Sequence, residues 1–389
     1  MRQLSPAVRR ARLSRRHALV GGDQGVTGLV TDLVALHATD PASVYLSVLS
    51  RLSHVDIPMV EAELYDKRSL VRMLGMRRTM FVVTRQLAPV VQAACSDKVA
   101  ATQRRHLVKH LRDGTDIADV PGWLADVEES TYAALRARGE ATATELVDDE
   151  PRLRTQLHLT PDKPYAAKQN ITTRVLLLLA ADARIVRGRP TGSWATTRYR
   201  WSTMDAWLPG GMPRLDQDEA RTELLRHWLA AFGPATLRDI TWWAGWTMRE
   251  ARQALAAVGA VEVDLGGDTG LLLPDDLDDT AEPEPAAALL PALDPTPMGW
   301  VERDWYLGAY QDRLFDRTGN IGPTVWWAGR IVGGWAIRPD GEIAHRLLED
   351  IGGDGERAVA AAAERIAKAI GDTRPKPRFR TPLERELVG

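Results

Sequence analysis

The sequence predicts an α+β fold that is mainly helical, and two observations carry this prediction. Between residues 24 and 274 the same order of elements, three helices and then a β-hairpin, is repeated about three times. From residue 287 onwards the chain is rich in predicted strands and has a helix near its end. A helix-turn-helix followed by a wing has the repeated order. The sequence therefore predicts three tandem winged-helix units, followed by a β-barrel-like C-terminal domain with a C-terminal helix.

The length and composition divide the chain into five segments. At 389 residues the chain is too long for a single compact core. The expected segments are 1–112 (N-terminal arm and first unit), 113–212 (second unit with a basic hairpin), 213–275 (third unit), 276–286 (acidic, proline-containing linker) and 287–389 (β-rich domain with a terminal helix and a basic tail). The linker composition indicates a solvated connector, and the proline-broken tail is expected to be mobile.

In the first unit, Asp40 and Pro41 predict the start of a helix, because Asp caps a helix and Pro suits its first position. The other elements expected there are helices over about 24–36 and 58–66 and short strands at 70–73 and within 76–83.

In the later segments, apolar residues at helical spacing and glycines at segment ends set the expected boundaries. The second unit has expected helices near 123–138, 141–146 and 168–183, and the third has helices near 217–232, 236–244 and 247–258 with strands at 261–265 and 271–273. The C-terminal domain has expected strands near 289–293, 323–332 and 333–338 and a helix over 355–370.

The hairpin at 183–204 contains five arginines and no acid. Alternation along its second strand places Tyr199 and Trp201 on one face and arginines on the other. A guanidinium group binds phosphate oxygens in pairs, so this face predicts contacts with a nucleic-acid backbone. The alternative is an exposed hairpin that charge keeps soluble. The candidate phosphate contacts are Arg187, Arg189, Arg198 and Arg200.

The net charge and the cysteine content restrict the classes of protein to which this chain can belong. The formal net charge is −2, so affinity for nucleic acid must come from local patches. Cys95 is the single cysteine, which excludes an intrachain disulfide and fits the cytoplasm. No apolar run approaches the length of a membrane span.

Five stretches of the chain carry a resemblance to a known family. They are His37-Ala38-Thr39-Asp40-Pro41, MRRTMFVV at 76–83, FGPATLRDITWWAG at 232–245, LLPALDPTPMGWVERDWYLG at 289–308, and residues 329–335. Together they resemble the winged-helix family of AlkZ- and YcaQ-like DNA glycosylases, which unhook alkylated bases and interstrand crosslinks. The resemblance implies tandem winged-helix units and a β-barrel-like domain that curve into a positively lined channel for duplex DNA.

The same resemblance points to a catalytic motif. Glycosylases of this family carry Gln-x-Gln or Gln-x-Asp, followed by an acid and a proline. Here the matching positions hold His37, Ala38 and Thr39, so the frame is kept while both key side chains differ. A neutral imidazole can accept a hydrogen bond from the attacking water, and a threonine hydroxyl can orient it. Asp40 either adds negative charge near the sugar or caps the next helix, and capping is favoured.

The alternatives for these and neighbouring residues remain open at this point. His37 is either a site residue or a satisfied histidine of the core or surface. Arg77 and Arg78, expected on a strand, either line the channel beside it or pair with surface acids. His106 and His110 are four residues apart, a metal-ligand spacing, but the surrounding cations favour a solvated basic helix face.

The sequence thus predicts a monofunctional glycosylase-like repair enzyme that hydrolyses the N-glycosidic bond of N7-alkylated purines, bulky or crosslinked adducts included. Its partner is double-stranded DNA, bound through the backbone. Neither a cofactor nor a metal is expected, and the protein is expected to be a monomer away from membranes. No lysine nucleophile is evident, so no lyase step is predicted. The alternative function is a non-catalytic winged-helix DNA-binding or regulatory protein.

Overall fold

The computed structural model describes residues 2–159, 167–278 and 280–389. Within these ranges the helices are interspersed with five small sheets, which confirms the predicted mixed α+β class. None of the helices in these ranges has both the length and the apolar character that crossing a bilayer requires.

The first part of the chain contains a short N-terminal strand and helix and then the first repeated unit. The elements are β1 (Arg2–Gln3), α1 (Pro6–Arg16), α2 (Gly25–Asp32), β2 (Leu36–His37), α3 (Pro41–Leu49), α4 (Ile57–Glu61), β3 (Leu70–Leu74), β4 (Met80–Thr84), α5 (Ala88–Val91) and α6 (Asp97–Gly114). The helix predicted to begin at Pro41 is confirmed, with Asp40 as its N-cap. The sequence pattern did not reveal β2, which is only two residues long.

The second unit follows the predicted order of elements, with one error. Its elements are α7 (Val120–Arg138), β5 (Glu140–Ala141), α8 (Ala143–Asp149), β6 (Gln156–Leu159), β7 (Ala167–Asn170), α9 (Thr172–Ala181), β8 (Ile185–Pro190), β9 (Tyr199–Thr203) and α10 (Met204–Trp207). The helix predicted from 168 begins only at Thr172, because the four residues before it pair with β6 as a strand.

The third unit agrees closely with the prediction. Its elements are α11 (Gln217–Phe232), α12 (Leu237–Ala244), α13 (Met248–Val258), β10 (Val261–Asp264) and β11 (Thr269–Leu272). Capping boxes start α12 and α13, and left-handed glycines, Gly245 and Gly259, end them. These are local signals, which explains why the boundaries could be predicted.

The C-terminal domain is an open sheet rather than the expected barrel-like structure. Its elements are β12 (Ala287–Leu290), α14 (Asp304–Leu307), α15 (Gln311–Leu314), β13 (Thr324–Trp327), β14 (Arg330–Ile337), β15 (Ile343–Leu347), α16 (Gly352–Ile370) and α17 (Pro382–Val388). The strand order β12-β13-β14-β15 leaves two edges, and no pairing closes the sheet within the described residues. Helices α16 and α17 pack on this sheet.

The N-terminal arm and the acidic linker bind each other. β1 pairs in parallel with β10 of the third unit, and α1 contacts α11 and α14. The buried guanidinium of Arg12 donates to the carbonyls of Asp276 and Asp278, and Arg16 forms an ion pair with Asp276. The linker was expected to be a solvated connector. Outside residue 279, which is not described, none of its residues is buried, in keeping with this expectation, and Asp276 in addition pairs with Arg12 and Arg16 of the first helix.

A buried ion pair fixes α3 against the C-terminal domain. The side chains of Arg51 and Asp294 are both 0% exposed and are joined by hydrogen bonds of 2.8 and 2.7 Å. Ser47 of α3 donates to the same carboxylate at 2.7 Å, and Thr296 accepts from Arg51. Both charged side chains have hydrogen-bond partners for their polar groups. The pair therefore holds α3, and the segment before it, in one defined position.

Candidate active site

The His37-Ala38-Thr39 motif begins at the end of β2, an edge strand of the small sheet β2-β4-β3. His37 is in register with Phe81 of β4, and the amide of Ala38 donates to the carbonyl of Met80 at 2.8 Å. Ala38 is buried in the core, while Thr39 is half-buried. Thr39 lies in the bend that leads from this strand to α3.

His37 is a neutral histidine in a nearly closed environment. It is 8% exposed, and its ring meets the ring of Phe81 edge-on with centroids 5.4 Å apart. Burial, together with the positive charge of Arg77, lowers the pKa of His37 to about 3. The Nδ1 atom is excluded from solvent and has no hydrogen-bond partner among the described residues. A buried ring nitrogen without a partner is costly, and such a nitrogen is open to a hydrogen bond from a ligand or a water.

Asp40 is engaged by backbone amides on the side of the C-terminal tail. Its carboxylate accepts from the amide of Ala42 at 3.1 Å and from the amide of Arg378 at 3.3 Å. Burial raises its pKa. The favoured capping role is therefore confirmed. The tail, expected to be mobile, packs here against the N-terminus of α3, because Pro375 and Pro377 line a small cavity beside Asp40.

Arg77 and Arg78 occupy the turn between β3 and β4, not a strand as expected. Both have positive φ angles, 52° and 61°. The guanidinium of Arg77 lies 4.0 Å from the ring centroid of Trp242, and a Cβ placed on Gly245 would approach the Cγ of Arg77 to 3.3 Å. Glycine at the end of α12 thus gives this arginine room beside the third unit.

The arginines of this turn have no acidic partners. Arg78 donates to Gln103 at 3.2 Å, and no carboxylate pairs with Arg77 or Arg78 in the described ranges. Burial and the nearby charge of Arg303 lower the pKa of Arg77 to about 10. Other arginines of the molecule, such as Arg51 and Arg104, are neutralised by carboxylates. The lack of such a partner leaves the guanidinium groups of this turn available to an external anion.

Two further arginines join this cluster and were not found from the sequence. Arg303 lies 5.4 Å from the ring of Trp242, and Arg174 is close enough to Arg78 that the charge of Arg78, after burial, lowers its pKa. The Nε atoms of both are buried and lack partners in the described part of the chain. We call Arg77, Arg78, Arg174 and Arg303 the cleft arginines. The first two line an open cavity of about 220 Å³ between α6 and the end of α12.

Comparison with known proteins identifies the family of the chain. A sequence model of the AlkZ-like DNA glycosylase family matches residues 30–369. The chain belongs to the AlkZ-like DNA glycosylase family. In fold it is similar to the solved structure of Streptomyces sahachiroi DNA glycosylase AlkZ, with a TM-score of 0.74 and 21% identity over 96% of this chain and 98% of that chain. No curated protein sequence matches the chain. Family membership supports a DNA glycosylase-type function in DNA repair, with DNA as the substrate.

The hairpin arginines of this AlkZ-like protein differ from the cleft arginines. Arg189 forms ion pairs with Glu61 at 3.1 Å and Asp66 at 2.8 Å, and Arg200 pairs with Glu140 at 3.2 Å. Arg198 is exposed, and Arg187 is stacked beneath the hairpin. The predicted alternation of β9 is confirmed, since Tyr199 and Trp201 are buried while Arg200 is half-buried.

The pair His106 and His110 belongs to a basic face of α6. After burial, the charges of Arg174 and His106 lower the pKa of His110. Cations that lower the affinity for a proton also disfavour a divalent metal. Among the described residues no group of three or more His, Cys, Asp or Glu side chains has the arrangement of a metal site.

Proposed function

We propose that this AlkZ-like protein is a monofunctional DNA glycosylase that hydrolyses the N-glycosidic bond of N7-alkylated purines in duplex DNA, bulky and crosslinked adducts included. One observation carries the proposal. His37 occupies the first polar position of the family motif, close to the cleft arginines. Its ring is neutral, and its Nδ1 atom has no hydrogen-bond partner among the described residues.

The proposed role of His37 follows from its protonation state. Hydrolysis of a cationic, N7-alkylated nucleoside needs a positioned water more than an acid, because the leaving base already carries positive charge. A histidine that is neutral at physiological pH offers a lone pair that can accept a hydrogen bond from this water. Because the pKa of His37 is lowered to about 3, its main contribution is to hold the water rather than to take its proton. Thr39, two residues further along the chain, would supply a hydroxyl that orients the water.

We assign Asp40 a positioning role. Both of its carboxylate oxygens accept from backbone amides, of Ala42 and of Arg378, so its charge is already partly satisfied. By capping α3 it fixes the three residues before it. A direct stabilisation of the developing positive charge on the sugar is the weaker part of this assignment.

The cleft arginines are proposed to hold backbone phosphates on either side of the lesion. A guanidinium that has no carboxylate partner loses no existing ion pair when it binds a phosphate. Contacts of this kind carry no base information, so binding should tolerate sequence. The paired hairpin arginines, Arg189 and Arg200, would add weaker contacts. In this proposal the three repeated units are winged-helix modules. The protein acts as a monomer in the cytoplasm.

The test measures base release directly. Wild-type protein in excess is incubated with a duplex containing a single N7-methylguanine, and abasic sites are scored by alkaline strand cleavage. We expect release by the wild type and a loss of about 100-fold or more in His37→Ala, since general-base and water-positioning contributions are of this size.

The matched control is His37→Gln, which introduces the residue usual in this family. An amide oxygen also accepts a hydrogen bond from water, so His37→Gln should retain far more activity than His37→Ala. Equal rates in the wild type and His37→Ala would exclude a role for the imidazole.

A second candidate function is a DNA-binding protein without catalysis. The replacement of both polar residues of the family motif, by His37 and Thr39, favours it. Binding of undamaged and damaged duplexes alike, with no abasic sites after hours at saturating protein, would support this function and contradict the first.

A further inference from the structure

A second group of arginines lies beneath the hairpin, where the first and second units meet. Arg72 of β3 is 4% exposed, and its guanidinium donates to the hydroxyl of Tyr199. Its carbon Cζ lies 4.7 Å from the centroid of that ring. Its Nε and Nη2 atoms are excluded from solvent and have no hydrogen-bond partner among the described residues. Arg72 is therefore a buried cation with most of its donors unused.

Arg187 of β8 lies on the same aromatic ring. Its Cζ is 5.5 Å from the centroid of Tyr199 and 5.3 Å from that of Trp201. Burial lowers the pKa of Arg187, and the charges of Arg72 and Arg378 lower it further, while Tyr199 acts in the opposite direction. In the described ranges neither Arg72 nor Arg187 forms an ion pair with a carboxylate. Two guanidinium groups thus share one tyrosine without a counterion.

Such a pair is unfavourable unless an anion accompanies it. Removing a cation from water costs several kcal/mol, and two neighbouring cations repel each other as well. Stacking on an aromatic ring returns only about 1–2 kcal/mol for each cation. The buried Arg51, by comparison, has a full set of partners that includes Asp294, although Nε of the buried Arg9 has none among the described residues. The missing component at Arg72 and Arg187 is an acceptor with several oxygens.

We propose that Arg72, Arg187 and Tyr199 form an oxyanion site that takes a phosphate group, supplied either by the backbone of bound DNA or by free inorganic phosphate. A phosphate offers oxygens to two guanidinium forks at once, which a single chloride does not. Arg378, whose amide binds Asp40, brings a third guanidinium to the edge of the site and connects it to the His37-Ala38-Thr39 segment. Binding of a DNA phosphate at this site rests on the proposed function, whereas binding of free phosphate does not.

The first arm of the test uses inorganic phosphate as the probe. The melting temperature of the full chain is measured in sodium phosphate and in sodium chloride of equal ionic strength. A ligand that binds the folded state raises the midpoint, here by about 2 °C or more, and the rise grows with phosphate concentration. Arg187→Gln should remove the phosphate-specific rise.

The matched control is Arg184→Gln. Arg184 stacks over Tyr132 at 4.4 Å much as Arg187 stacks over Tyr199, but it is paired with Glu129 at 2.6 Å. It should keep the full phosphate response, because the oxyanion site is unchanged. If Arg187→Gln does not fold, Arg378→Gln is used instead, since this side chain is exposed, and it should reduce the rise.

The second arm distinguishes the sources of phosphate. Binding to a duplex with a stable abasic analogue is measured in both salts. If a DNA phosphate fills the site, inorganic phosphate competes, and Arg187→Gln weakens DNA binding about tenfold with a smaller salt slope. If free phosphate is the ligand, DNA affinity is the same in both salts and in both variants.

A melting temperature that is equal in phosphate and chloride, together with equal DNA affinities for Arg187→Gln and Arg184→Gln, would overturn the oxyanion site. That result would leave two stacked arginines with a structural role only. It would not affect base release by His37, which is scored separately, so the two proposals fail independently.

Discussion

The cleft arginines and the hairpin arginines look alike in sequence and differ in space. The hairpin has five arginines in a run without an acid, yet Glu61, Asp66 and Glu140 come from distant segments to pair with Arg189 and Arg200. The cleft arginines are scattered from residue 77 to residue 303, yet no acid joins them within the described residues. A local count of charge therefore does not show which arginines are free to bind an anion, and the DNA contacts of the hairpin stay a prediction.

The physical reason is that pairing decides what an arginine can bind. An arginine that is paired with a carboxylate must give up that contact, or share it, before it binds phosphate. Its net gain in binding free energy is therefore small. An arginine held only by stacking, like Arg77 over Trp242, keeps its fork free. The four predictions below test this difference, from the largest expected effect to the smallest.

The largest effect is expected at Arg51, an arginine that is fully buried and paired with Asp294. Asp294→Asn leaves the charge of Arg51 buried without a counterion, which should lower the free energy of unfolding by about 3–5 kcal/mol. Chemical denaturation measures this. The control is Glu386→Gln, which breaks the exposed pairs with Arg313 and Arg346 and should cost at most about 1 kcal/mol. Similar losses in the two variants would contradict the distinction between buried and exposed pairs.

The cleft arginines should dominate DNA affinity. In Arg77→Gln/Arg78→Gln we expect the dissociation constant for any duplex to rise about tenfold or more, and the salt slope to fall by about 2, since two phosphate contacts are lost. Fluorescence anisotropy at several salt concentrations measures both. A loss restricted to one DNA sequence would mean that these residues contact bases rather than the backbone.

The hairpin arginines should matter less. Arg189→Gln/Arg200→Gln removes two guanidinium groups that already have carboxylate partners, so the dissociation constant should change by only about two- to threefold. The same anisotropy experiment supplies the comparison. If this variant binds DNA as poorly as the cleft variant does, the acid pairs must open on binding and the contrast between the two regions fails.

The pH dependence should be the smallest effect. The pKa of His37 is lowered to about 3, so the imidazole stays neutral and the rate constant of base release should be level between pH 5 and pH 8. An ordinary histidine with a pKa of 6.5 would lose about 30-fold in its neutral fraction over this range. Single-turnover rates give the profile. Since burial is the larger cause, the profile of Arg77→Met should also be level, and an inflection near 6.5 would contradict the closed environment.

What could be predicted from the sequence is what local chemistry determines. The cap of α3 by Asp40, the capping boxes of α12 and α13 and the left-handed glycines that end them depend on neighbours within a few residues. The resemblance to the family singled out His37 and Thr39, and their catalytic roles stay predictions.

What could not be predicted depends on distant segments. The strand β7 lies where a helix was expected, because it pairs with β6, and the arginine turn adopts positive φ angles that no local pattern signalled. Arg174 and Arg303 join Arg77 and Arg78 only through the packing of α6, α9 and α12. No local pattern indicated that the N-terminal arm pairs with the linker, since about 260 residues separate Arg12 from Asp276.

The parallel pairing of β1 with β10 has a consequence for how the protein is made. Arg2 and Gln3 find their partners only after residue 264 has been added, which at about 5–20 residues per second takes roughly 13–50 s. During that time the nascent arm, with its six arginines in the first twenty residues, stays exposed on the ribosome while the units behind it fold. The strand β1 is thus among the last segments to reach its native place, long after it has been synthesised.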